Sequence, residues 1–427
     1  MPKLLLKQVT VLSKNSPFNG EVVDILIENG IIKTIATEII NHEQVIEKNL
    51  NGCIVTNAFT DVRCNSSEPG LEHRETFESL SVAAQAGGFA NIAMLPNATP
   101  IRQTKADVEF VINQNQKYGV NFLPLGAITH NLKSDDLVEL YDMQNSGAIA
   151  FSNANNAITN SGTMSRAIQY SKSFNGLIYS FCFNKELAAG AQVAEGPIAV
   201  SLGLKGIPPM AEYLMVQREI ELAEYHQAKI HISKISTEKS VELIRQAKAQ
   251  GINITADVAV MNLVLTDETL MDFDSNLKLM PPLRQANDVK ALWLGIEDGT
   301  IDAICSDHHP QEIENKELEF DYASYGAISI QIALSLAIEG RNRFCSHLLD
   351  EVILNKFTTD ANSILNIENS IIDEDNEALL TIINPHEQTI LNKHNNHSLS
   401  SNTYYLNKPL PYKIMGTLIG NNYFFNQ

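Results

Sequence analysis

A chain of 427 residues, 44% of them hydrophobic and 19% charged, is too long for one small core and has the composition of an ordinary folded protein, which excludes a disordered or low-complexity chain. Its formal charge of -19 is spread along the sequence, which disfavours nucleic acid and anionic membrane as partners.

The N-terminal residues 3–55 read as short β runs, KLLLKQVTVL, EVVDILIENG and IIKTIATEII, with Asn29-Gly30 as a hairpin signal. The pattern then changes to apolar strands alternating with amphipathic stretches, the signature of βα units around a parallel sheet. Eight strands are predicted: IVTNAFTDV, FANIAMLPN, NFLPLGAIT, AIAFSN, LIYSFCF, KIHISKIS, INITADVAV and IDAICSDHH. About eight is the number that closes a barrel of the TIM type. Several helical stretches between them, such as ETFESLSVAAQAGG and TEKSVELIRQAKAQG, end in glycine as helix C-termini do. After residue 366 the alternation stops, and ALLTIINP and KIMGTLIGNNYFF return to strands that pack on the N-terminal module. The fold predicted is α/β: a (β/α)8 TIM-type barrel over residues 56–366, inserted in a small composite β-sandwich of residues 1–55 and 367–427.

The five cysteines, Cys53, Cys64, Cys182, Cys305 and Cys345, are far apart and lack C-x-x-C spacing, so neither a disulfide framework nor a zinc ribbon is expected. A reducing cytoplasm suits them. No apolar run approaches the roughly 18 residues of a membrane span, and MPKLLLKQVTVL is too short a run for a signal peptide.

Chemistry in such barrels sits at the C-terminal strand ends, where the βα loops converge. In order these carry Arg63, Cys64 and Asn65; Asn97; His130; Asn153 and Ala154; Phe181; Lys234; Val260, Met261 and Asn262; and Asp307, His308 and His309.

The stretches EPGLEHRETFES, AAQAGGFANIAMLPN, LKGIPPMAEYLMVQREIELAE, HISKISTEKSVELIRQAKAQGINITAD, LKLMPPLR and DGTIDAICSDHHP resemble the dihydroorotases of the amidohydrolase superfamily, in the form found in pyrimidine multienzyme systems. The resemblance runs almost end to end. It implies a reaction in which a zinc-bound hydroxide opens or closes a cyclic imide, with imidazoles and carboxylates as ligands. In the family the first strand ends Asp-x-His-x-His, followed by Phe-Arg, whose arginine grips the substrate carboxylate. The same frame here is Asp61, Arg63, Asn65, Ser66 and Ser67. The fourth-strand aspartate falls on Asn153 or Ala154, the fifth-strand histidine on Phe181 and the sixth-strand histidine on Lys234. Asp307 and His308 keep the eighth-strand pattern, and Asn97 survives on the substrate side, where Met280 replaces a second asparagine. The resemblance therefore implies a degenerate dinuclear site with no metal ligand set, Asp307 as the retained but silent acid, and Asn97 and His308 as vestigial substrate positions. No cofactor is expected, although the family uses zinc.

Without the resemblance, Arg63 and Lys234 would read as surface residues. With it, both point into the barrel mouth beside Asp307, and the three give a net charge of about +1. Adjacent residues on a strand face opposite ways, so only one of His308 and His309 shares the face of Asp307, and both read as hydrogen-bonding histidines. His231 reads as a satisfied core or rim histidine. Cys64 and Cys182 read as small buried hydrophobes, there being no histidine base placed beside either.

Three functions compete. The first is a catalytically inactive dihydroorotase-like protein of pyrimidine biosynthesis that is a structural or regulatory partner of aspartate transcarbamoylase, since silent relatives of the family assemble with that enzyme; homo-oligomerisation is expected alongside. The second is an active cyclic amidohydrolase with an altered metal set, His130, Asp307 and His308. The third is a metal-free protein that binds a small anion through Arg63 and Lys234.

Overall fold

The computed structural model describes residues 3–40, 45–65 and 67–426. Eight parallel strands form the centre in simple chain order: Phe59–Cys64, Phe89–Met94, Asn121–Gly126, Ala150–Ser152, Ile178–Phe181, Ile230–Ser233, Ile254–Ala259 and Ala303–Cys305. Just past the two edge strands, the amide of Asn65 donates to the carbonyl of His308 at 2.9 Å, and Cys64 and His308 form a parallel bridge that draws the first and last strands together. Barrel strands are covered on both faces, and every residue of Phe59–Cys64 and Ile230–Ser233 is buried, the polar ones included.

The returning helices are capped as their sequences dictate. Thr76 accepts from the Ser79 amide while the Ser79 hydroxyl accepts from Thr76, a capping box that starts the helix Phe77–Ala86. Gly87 ends that helix where a Cβ would lie 2.2 Å from the Ile330 carbonyl oxygen, so only glycine lets the chain pass back to the second strand.

The strands of the two chain ends join in one continuous mixed sheet. Its order is Asn422–Phe425, Pro409–Ile419, Leu379–Ile390, Ile54–Asn57, Lys3–Val11, Val22–Glu28 and Ile31–Ala36, with Val45–Asn49 added to Lys3–Val11. The Ile32 amide donates to the Asn376 carbonyl at 2.9 Å and the Ala378 amide to Gly30 at 2.8 Å, so the far edge is tied back to the segment leading into Leu379–Ile390. The sheet thus wraps a core of Leu4, Leu6, Val23, Ile25, Leu380 and Ile382, and the two expected sandwich layers are one sheet bent on itself.

The single strand predicted from IVTNAFTDV is two. Ile54–Asn57 pairs with Leu379–Ile390 in the end sheet, and after Ala58 the chain enters the barrel at Phe59. One long apolar run hides that change of sheet. The last barrel helix, Thr359–Leu365, ends where the alternation stops in the sequence. Among the described residues no helix is long and apolar enough to cross a membrane.

Candidate functional site

Three of the eight strands leave the barrel through a non-glycine residue with positive φ: Ala154 (53°), Lys234 (56°) and Asp307 (49°). This left-handed region is uncommon for L-residues with side chains, and such positions gather at functional sites. Here they turn Lys234 and Asp307 toward the barrel axis, where Arg63 arrives from the first strand on the same face as Asp61, two residues apart along the pleat.

The expected meeting of these residues is present. Arg63 Nε lies 3.3 Å from Asp307 Oδ1 and Lys234 Nζ 3.0 Å from Asp307 Oδ2, so both carboxylate oxygens face a cation. Arg63 also donates through Nη1 to Ser233 Oγ (3.0 Å) and through Nη2 to Asn155 Oδ1 (2.7 Å). Lys234 Nζ has two further acceptors, Asn155 Oδ1 at 3.0 Å and the Met280 carbonyl at 2.6 Å, so each of its three protons has one. Both cationic side chains are fully buried, whereas Asp307 keeps 17% of its side-chain surface. Phe181 closes one side, its ring centroid 5.2 Å from Lys234 Nζ and 5.9 Å from Arg63 Cζ. Burial pulls Lys234 down to about 8 against the opposing pull of Asp307.

Below this cluster lies a second acidic layer that the sequence reading did not weigh. Asp257, on the seventh strand, accepts from His231 Nε2 (2.7 Å), Ser233 Oγ (3.0 Å) and the Lys234 amide (2.8 Å). Burial pushes its carboxyl up, but the hydrogen bond and charge of His231 prevail and hold it below the usual range. Asp61 accepts from the Ser306 amide and hydroxyl and from the Arg63 amide. Its burial nevertheless raises it to about 7. Ser233 bridges the layers, accepting from Arg63 and donating to Asp257. Behind the +1 of Arg63, Lys234 and Asp307 thus stand two further carboxyl groups, Asp257 and Asp61, the first of them paired with His231.

The remaining predicted positions divide. Asn65 is buried, donating to the His308 carbonyl (3.0 Å) and accepting from Asn97 Nδ2 (3.1 Å), so those two asparagines do meet. Asn153 does not face the axis; it accepts from the Ile128 and Thr129 amides and donates to Thr129 Oγ1 (2.8 Å), stapling the third strand end to the fourth. The left-handed turn at Ala154 delivers Asn155 instead, a residue marked in the sequence only by the run of asparagines around it. Ser66 lies outside the described residues.

His308 is turned away from the mouth by the φ of Asp307. Its Nδ1 accepts from the Ser329 amide (3.1 Å) and its Nε2 faces Glu75 at 3.2 Å, with the side chain 1% exposed. His130 is exposed in a short 3-10 turn. Among the described residues His130, Asp307 and His308 form no common ligand set. His231 is a satisfied core histidine, its Nδ1 2.9 Å from Thr255 Oγ1.

His309 packs its ring over Gly326, and Gln311 Nε2 lies 3.0 Å from its Nε2. Burial drops it to about 3 from an ordinary 6.5, with Asp307 opposing. A histidine lowered in the fold contributes stability that is complete above its unfolded pKa and is lost as pH falls from 6.5 toward 3. His309→Asn is expected to flatten the acid limb of stability over that window, read as urea midpoints at pH 7, 5.5 and 4; parallel limbs in the two proteins would refute a His309 held neutral in the fold.

A catalytic zinc needs three neutral-nitrogen or carboxylate ligands and one open position. The residues here do not fit that need. A divalent ion beside Asp307 would share the space with a buried guanidinium and a buried ammonium, and both Asp307 oxygens are already engaged.

Residues 52–240 match a sequence family described as Dihydro-orotase-like. The dihydroorotase of Acetivibrio thermocellus is 35% identical over 421 residues, covering 98% of each chain, and that of Pelotomaculum thermopropionicum is 37% identical over 391 residues, covering 90% of this chain and 89% of its own. Among solved structures, the L-hydantoinase (dihydropyrimidinase) of Arthrobacter aurescens superimposes with a TM-score of 0.84 at 20% identity, over 99% of this chain and 96% of its own. A D-hydantoinase gives 0.81 at 19% identity, over 99% and 95%. Identities of that size speak to the fold alone.

Proposed function

The chain belongs to the dihydroorotase family, and we propose that within it this protein is a non-catalytic member with a degenerate metal site, acting in pyrimidine biosynthesis as a structural or regulatory partner of aspartate transcarbamoylase. One observation carries the reading: Lys234 Nζ and Arg63 Nε sit 3.0 and 3.3 Å from the two oxygens of Asp307, fully buried. The family reaction requires a hydroxide formed at neutral pH on a Lewis acid. An ammonium whose three protons are all taken, and a guanidinium tied to Asp307, Ser233 and Asn155, lower the pKa of no water. The same saturation weighs against the small-anion reading, because Lys234 has no proton left to offer.

The partner role draws on the family resemblance and on the surface around the mouth. Leu187, Val200, Met271, Phe273 and Tyr322, all 41% exposed or more, lie on βα connections at that face. Exposed apolar side chains on these connections offer a protein partner contact area at that face.

The purified chain is expected to cyclise carbamoyl aspartate no faster than buffer at pH 7, and to co-migrate with aspartate transcarbamoylase in size-exclusion chromatography. Turnover above background that disappears in Asp307→Asn would sink the inactive reading. Separate elution of the two proteins at micromolar concentration would sink the partnership.

A further inference from the structure

Outside the barrel mouth, among the described residues, one group of side chains has the composition and spacing of a metal site: Glu297, Cys345 and His347. Glu297 is the last residue of the helix Ala286–Glu297, which follows the seventh barrel strand, and Cys345 directly follows the helix Ala333–Phe344, which follows the eighth. Helices of a (β/α)8 barrel run back against the strands, so both C-termini lie at the face opposite the mouth. The site therefore shares no residue and no surface with the Asp307 cluster.

The geometry is close to what zinc requires. His347 Nε2 lies 2.8 Å from Glu297 Oε1 and 3.8 Å from Cys345 Sγ, and one ligand atom from each residue falls within 4.8 Å of the others. Tetrahedral zinc with bonds of about 2.3 Å to sulfur and about 2.0–2.2 Å to nitrogen and oxygen separates its ligand atoms by roughly 3.3–3.6 Å. The observed spacings bracket that range. Closing the difference asks only for rotation of His347 and Glu297, whose side chains are 67% and 37% exposed. Cys345 is 4% exposed and fixes the third corner, with its backbone held by Arg341 and Leu348.

The chemistry selects the ion. A thiolate, an imidazole and a carboxylate together carry a charge of about −2 and suit a borderline-soft divalent cation, which favours zinc over magnesium or calcium. Without metal, burial and then Glu297 push the Cys345 thiol up, so binding zinc releases its proton to solvent. The carboxylate–imidazole hydrogen bond breaks as the same nitrogen or its ring partner turns to the ion.

We propose that Glu297, Cys345 and His347 form a zinc-binding site on the face opposite the mouth, with water as the fourth ligand, clipping together the C-terminal ends of the last two large barrel helices. Its presence changes the meaning of a simple zinc assay: one zinc per chain would arise here with the barrel mouth empty of metal.

The test uses the reduced full-length chain with cobalt(II) as the probe and zinc as competitor. Wild type is expected to take up one cobalt with a thiolate-to-metal charge-transfer band, displaced by one equivalent of zinc, and zinc is expected to raise its Tm. Cys345→Ser should lose the band and His347→Ala should lose the zinc-induced Tm shift; His347 is exposed, so its loss leaves the fold intact. No charge-transfer band in wild type, or a band that survives in Cys345→Ser, overturns the site. Metal uptake that persists in both variants and vanishes in Asp307→Asn would place the ion in the barrel and overturn the degenerate-site reading as well, whereas absence of all uptake overturns only the clip.

Discussion

Lys234→Met is expected to destabilise the chain by about 3 kcal/mol, the low end of what breaking a buried ion pair costs. Met matches the volume of the lysine stem, so the loss reports polar groups left behind: Asp307 Oδ2, the Met280 carbonyl and part of the demand of Asn155 Oδ1. Two facts keep the figure from the top of the range. Arg63 still faces Asp307 Oδ1, and the mutation also removes an ammonium that its surroundings disfavour, as the fall to about 8 records. That depressed value fixes the pH dependence. A lysine lowered in the fold regains stability as pH rises from the folded toward the unfolded value, so the gap between wild type and Lys234→Met should widen from pH 8 toward 10. Asp307→Asn in the Lys234→Met background should restore part of the loss, because it removes the carboxylate that the first change left short of a partner. Urea unfolding of the four proteins gives the coupling, expected at about 1–3 kcal/mol for groups in direct contact. A coupling indistinguishable from zero would show that the pair contributes nothing, and with it would fall the claim that these cations replace the charge of a metal.

The barrel was legible in the sequence because its strands are apolar runs and its helices carry caps and terminal glycines, signals that depend on local chemistry alone. Seven of the eight strands lie within the segments read for them, and the first, Phe59–Cys64, runs two residues past its segment. The places where the reading failed are places where the chain changes direction against its local pattern. Ala58 joins two sheets inside one hydrophobic run, and nothing in CIVTNAFTDV marks the switch. Ala154 and Asp307 take a left-handed backbone that no local pattern marks, and the resemblance assigned Asn153 or Ala154 and His308 to the mouth. In the fold Asn155 occupies it and His308 faces Glu75. Arg63, Lys234 and Asp307 were placed by resemblance, and geometry adds that all three ammonium protons of Lys234 have acceptors. Asp257 escaped notice because a lone acid in a β run has no spacing partner; only the sheet brings His231 to it. The bent end sheet required long-range pairing between residues 30 and 378, beyond any local signal.

The stretches that carry the family resemblance converge on a carboxylate that lies outside the mouth, and Glu212→Ala is expected to be the most damaging single change in the barrel. Glu212, from the helix Met210–His226, is 3% exposed. Its Oε1 accepts from the amides of Ser236 (2.9 Å) and Thr237 (3.0 Å) and from the hydroxyls of Thr237 (3.0 Å) and Ser240 (2.7 Å), while Oε2 accepts from the Ser236 hydroxyl. Arg284 Nη2 stands 3.9 Å away, and its Nε donates to Ser236 Oγ at 3.1 Å. Thus PPMAEYL, KISTEKS and MPPLR meet at one acid that terminates the sixth strand and starts the helix Glu238–Ala249. Deleting it strands a buried guanidinium, already lowered by its burial, and leaves buried donors without an acceptor. Each such donor costs about 1–3 kcal/mol, and the lost ion pair about 3–5 kcal/mol, so the sum is a loss of at least about 4 kcal/mol even after relaxation. Glu212→Gln keeps one acceptor oxygen and should lose about half as much, which separates hydrogen bonding from charge. Because Lys234 is two residues before Ser236, the damage should reach the mouth, and hydrogen exchange should quicken first at Ser236, Thr237 and the opening turn of Glu238–Ala249. An alanine variant within about 1 kcal/mol of wild type in urea would mean that water replaces the carboxylate there, and that these sequence stretches are held together by something other than Glu212.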